Sequence, residues 1–96
     1  MNYLDALAAS IRREVPSDSL PDGDTADLFR FYAVLALVRG TAVTREDVHN
    51  AWAAWMSASE PTHEAIKPYD ELTRDVQRED QVFVDAIRKV TSRRSG

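Results

Sequence analysis

Apolar residues recur at intervals of three and four in four stretches of the chain, and no stretch alternates long enough to make a half-buried strand. In the first, over 2–15, Leu4, Leu7, Ala8, Ile11 and Val15 share one helical face, and Pro16 ends the helix. The second spans 25–39. Asp24 is placed to cap it, Asp27 sits near the positive end of its dipole, and Gly40 stops it. This helix is apolar nearly all round (Phe29, Phe31, Tyr32, Val34, Leu35, Leu37, Val38), which predicts a central position in a bundle. The third, over 44–58, opens on a Thr44–Asp47 capping box and carries Val48, Ala51, Trp52 and Trp55 on one face. Pro61 and Pro68 bracket a non-helical segment containing His63. The last helix, over 73–91, turns Val76, Phe83, Val84, Ile87 and Val90 inward, and the residues after Thr91 are expected to fray. The pattern predicts an all-α, single-domain bundle of about four helices over 1–96, with the Trp52/Trp55 face packed on the second helix.

Composition narrows the class. Ninety-six residues make about one small domain. The longest strongly apolar run, Phe31 to Val38, is far short of the ~20 residues a membrane helix needs. Asp5, Arg12 and Arg13 interrupt any signal-peptide pattern, so a cytoplasmic protein is expected. With no cysteine there is neither a disulfide framework nor a thiolate site. A net charge of −4 argues against nonspecific nucleic-acid binding. Ten of twelve basic residues are arginine and thirteen residues are alanine, a bias expected of a GC-rich genome such as that of an actinobacterial phage or its host.

Signatures of chemistry are sparse. No serine sits in a nucleophile elbow, and the three glycines are too scattered to cradle a phosphate. His49 and His63 are fourteen residues apart, so no helix presents both as metal ligands, and neither metal nor cofactor is expected. The acids of 16–24 suggest a calcium loop. However, Phe29, Arg30 and Phe31 stand near the position of its closing glutamate, which favours a solvated turn. A helix-turn-helix around Ala36-x-x-x-Gly40 would put Glu46 and Asp47 where a recognition helix needs phosphate-binding bases. Arg88, Lys89, Arg93 and Arg94 read as cations at a helix C-terminus.

The most informative stretch is Val48 to Asp80, where a His-Trp helix edge is followed by a Pro-Tyr turn and a final helix. His49-x-x-Trp52-Ala53, then His63-x-x-Ile66-x-Pro68-Tyr69-x-x-Leu72, then Asp80 resembles the RyR domain, the module repeated in ryanodine-receptor channels and found singly in bacterial and phage proteins. The resemblance covers Thr44 to Val90 and departs from the family at Glu64 and Gln81. It implies a helical module and suggests a shallow site of His49, Trp52, His63, Tyr69 and Asp70 for a nucleotide-like ligand. The competing reading is a Pro-Tyr turn pinned on a Trp-His edge for stability alone. The chain is expected to be a non-enzymatic interaction module that meets a protein partner or a second copy of itself, because so small a domain cannot bury all its aromatic rings. Small-ligand binding and DNA binding are the alternatives.

Overall fold

The computed structural model describes residues 2–95, and within them every regular element is helical. The α-helices are α1 (Tyr3–Arg13), α2 (Ala26–Val38), α3 (Arg45–Ser59), α4 (Arg74–Glu79) and α5 (Gln81–Ser95). Short 3-10 turns at Ser17–Ser19, Gly40–Ala42 and Tyr69–Glu71 join them. The helix starts are fixed locally. Asn2 caps α1 by accepting the Asp5 N–H at 2.9 Å, and Thr44 and Asp47 form the expected reciprocal capping box on α3. At α2 the capping position is Thr25 rather than Asp24, although Asp24 accepts the Ala26 N–H at 2.9 Å and satisfies one orphan donor.

The core lies where α1, α2 and α5 meet. Ile11, Leu28, Ala33 and Ile87 have no exposed surface, and Phe29, Tyr32 and Val84 are buried beside them. Phe29 meets Tyr32 edge to face at 5.3 Å between ring centroids, and Tyr32 lies 5.3 Å from Phe83 of α5. α3 packs across α2 and α5, with Val48 fully buried and both Trp52 and Trp55 half-buried against the core. Gly40 adopts a left-handed φ of +57°, which lets the chain reverse between α2 and α3 while the turn packs on α5. Ion pairs fasten the outside: Arg30 to Asp5, Arg39 to Asp47, and both Lys89 and Arg93 to Glu14.

Three expectations need correction. The second helix is not enclosed: Phe31, Val34 and Leu37 are each over 40% exposed and Val38 is 73% exposed. Among the described residues α1, α3, α5 and the Gly40–Ala42 turn pack on this 13-residue helix, and they cover one side of it. The last helix is broken at Asp80, whose N–H bonds the Gln77 carbonyl at 3.3 Å in a tightened turn before α5 restarts. Nor does the chain fray at Thr91, since α5 runs on to Ser95 and Arg93 reaches Glu14 at 2.8 Å. Among the described residues no helix is long and apolar enough to cross a membrane.

Candidate functional site

The segment between α3 and α4 is held by side chains that bond its backbone. Burial of His49 on α3 removes it from water, and its Nε2–H donates to the Lys67 carbonyl at 2.7 Å. His63 accepts the Ala65 N–H on Nδ1 at 3.1 Å, which leaves its own ring proton on Nε2. Gln77 of α4 donates to the Tyr69 carbonyl at 3.0 Å. The first two contacts satisfy loop backbone groups outside any helix ladder, and the third gives a second donor to the Tyr69 carbonyl, which also accepts the Leu72 N–H at 3.1 Å. Aromatic faces close the assembly. His49 stacks on Trp52 at 5.8 Å and 24°, Tyr69 lies tilted at 55° and 6.2 Å from His49, and His63 is perpendicular to Trp52 at 5.3 Å.

Behind this clasp a half-open cleft of about 730 Å³ runs between α3, the α4–α5 bend and the loop after α1. His49, Trp52 and His63 line it together with Tyr32, Asp80 and Phe83. The bend brings Asp80 into the wall, and among the described residues its buried Oδ2 has no hydrogen-bond partner. Burial pushes this carboxyl up to about 6, partly offset by His49 and Arg45 and reinforced by Glu79. The Tyr32 phenol is driven well above its ordinary value by burial and then by the neighbouring Asp80. Along the same wall, Arg45 donates to Gln81 Oε1 at 2.7 Å and the Gln81 amide donates to Asp85 at 2.7 Å, so a polar chain ties α3 to the start of α5.

The family model for the domain of unknown function DUF7701 matches residues 2–92. The chain belongs to that family. No curated protein and no solved structure matches it. The matched DUF7701 region takes in α1 and α2 as well as the cleft walls, so core and cleft fall within one family unit.

Of the five residues singled out in the sequence, this DUF7701 domain brings four into one aromatic cluster and three onto the cleft. Tyr69 touches His49 without lining the cleft, and Asp70 stands exposed on the 3-10 turn, away from it. Asp80 and Tyr32 take the place that Asp70 was expected to fill. Asp80 was legible as a matching position of the RyR-like pattern, but nothing in the spacing marks the helix break that buries it. Among the described residues, no three His, Asp or Glu side chains are grouped to hold a metal ion.

Proposed function

We propose that this domain is a non-enzymatic binding module and that the cleft beside Trp52 receives a small flat ligand. The observation that carries this reading is an aromatic-lined cleft of about 730 Å³, a volume within the usual range for small-molecule sites, with Asp80 in its wall and one oxygen of that carboxyl buried without a partner among the described residues. Both imidazoles are engaged with backbone groups, which leaves neither arranged as a base beside a nucleophile. The nucleotide-like ligand suggested by the RyR resemblance fits as a base stacked on Trp52, with any phosphate outside, since Asp18, Glu79 and Asp85 also border the cleft. Titration of the labelled protein with adenosine, AMP, agmatine and small aromatic amides, followed through the Trp52 indole N–H, tests the reading. Shifts confined to the cleft support it, and no shift with any of them at millimolar concentration ends it.

A second reading is association with another copy of the chain through α2. It is favoured by the exposed row Phe31, Val34, Leu37 and Val38, which continues into a shallow groove bordered by Leu4 and Trp55. Light scattering at rising concentration tests it, with Val38→Asp expected to abolish any dimer; a strict monomer removes it. DNA binding draws the least support, because Glu46 and Asp47 occupy the first turn of α3 and Asp47 is consumed by the Thr44 cap and Arg39.

A further inference from the structure

We infer that the cleft selects an organic cation with a flat head rich in N–H donors, of the guanidinium type; this rests on the ligand-binding reading above and names its ligand class. Three independent features converge on it. The first is charge. Four carboxylates, Asp18, Glu79, Asp80 and Asp85, border the cleft from three parts of the chain, against one cation, Arg78, which is itself paired with Asp75. Arg45, the other cation near Asp80, spends its Nε on Gln81. An anion entering here meets net repulsion, and a cation is drawn in.

Hydrogen-bonding capacity is the second feature. Asp80 Oδ2 is buried without a donor, although a buried carboxylate oxygen is ordinarily satisfied. A ligand N–H that reaches Asp80 after a small movement of the α4–α5 bend supplies the missing donor. A guanidinium presents several such donors in one plane and matches a carboxylate side-on. The third feature is the wall itself. Trp52 offers the most electron-rich ring face among the natural side chains, and it stands half-buried at the cleft with His49 stacked on one face and His63 set perpendicular to the ring. A planar cation stacks on the indole face away from His49 while its edge bonds the carboxylate, and a compact ammonium cannot do both.

The same chemistry can reach the cleft as a free small molecule or as an arginine side chain of a partner, so the test carries both. Agmatine, the tripeptide Gly-Arg-Gly, butylamine and AMP are titrated against the labelled full chain. Agmatine or the tripeptide should bind at least tenfold more tightly than AMP and butylamine, with shifts at the Trp52 indole N–H and the Asp80 amide. Tighter agmatine binding identifies the free source, and tighter tripeptide binding the side-chain source. Asp80→Asn should weaken the guanidinium ligand about tenfold while leaving the spectrum folded. If that variant does not fold, Glu79→Gln together with Asp18→Asn should still weaken it several-fold. Tighter binding of AMP or adenosine than of agmatine overturns the cation inference and leaves the ligand reading standing. Binding of none of the probes overturns both, and unchanged agmatine affinity in the charge variants overturns the inference alone.

Discussion

The two sides of the molecule are built on different physics. Where α1, α2 and α5 meet, Ile11, Leu28, Ala33 and Ile87 are fully enclosed, and stability comes from area removed from water, which is non-directional. Between α3 and α4 there is little apolar filling beyond Leu72, and a few directed bonds from His49, His63 and Gln77 hold the chain. The first side tolerates changes that conserve volume; the second depends on individual atoms. A binding surface benefits from the second kind, because it can open without unfolding the first.

The division can be broken most sharply at Phe29. Replacing it with alanine removes a ring packed on both Tyr32 and Phe83 and should cost about 3–5 kcal/mol in urea unfolding. A loss below about 1 kcal/mol would mean that the core is not the main source of stability. Next in size, His49→Ala leaves the Lys67 carbonyl without its donor and should cost about 1–3 kcal/mol. Hydrogen exchange should then show early opening of residues 60–73 while α1 and α2 stay protected. Simultaneous loss of protection everywhere would join the two sides into one cooperative unit.

A smaller effect follows from Asp80. Its carboxyl is raised to about 6 in the fold against an ordinary 3.8, so between those values the folded state binds more protons than the unfolded chain. Stability should therefore rise as pH falls from 7 towards 5, by about 1 kcal/mol because the open side of the cleft screens the charge. Asp80→Asn should flatten that slope and raise the melting temperature at pH 7. Below the ordinary 3.8, where the Asp80 gain is complete, the trend should reverse. Glu14 is held below the ordinary 4.5 by Lys89 and Arg93, and Asp47, against the opposing effect of its burial, is held below 3.8 by Thr44 and Arg39, so protonating them removes stability. The smallest effect is expected from Glu14→Gln, a slight drop in melting temperature that vanishes in high salt, since both of its cationic partners are largely exposed.

Much of the fold was legible because capping and periodicity act over a few residues. Thr44 and Asp47 announce α3, and Leu7, Ile11, Phe83 and Ile87 all lie where their spacing puts them. Other features were not, for reasons that are physical. Apolar content around α2 cannot tell which side its neighbours will cover, so Phe31 and Val34 looked as internal as Phe29. The break at Asp80 involves neither glycine nor proline and is visible only as a tightened turn. The clasp uses the Lys67 and Tyr69 carbonyls, which every residue type possesses, so a Pro-Tyr turn pinned on a Trp-His edge could be read from the sequence but not which backbone groups would be bonded. Asp70 beside Tyr69 looked equivalent to any acid near the rings, and only the three-dimensional bend puts Asp80 there instead.

α5, the last fifteen-residue helix described, closes the core with Phe83, Val84, Ile87 and Val90. During synthesis, the surface it will cover on Ile11, Phe29 and Tyr32 therefore stays open after α1, α2 and α3 have all left the ribosome. Pairing of α1 with α2 can begin early, but the contact from Glu14 to Arg93 spans 79 positions and waits for nearly the whole chain. A nascent or prematurely terminated chain lacking α5 presents a sticky three-helix intermediate, the form a chaperone or protease would recognise first.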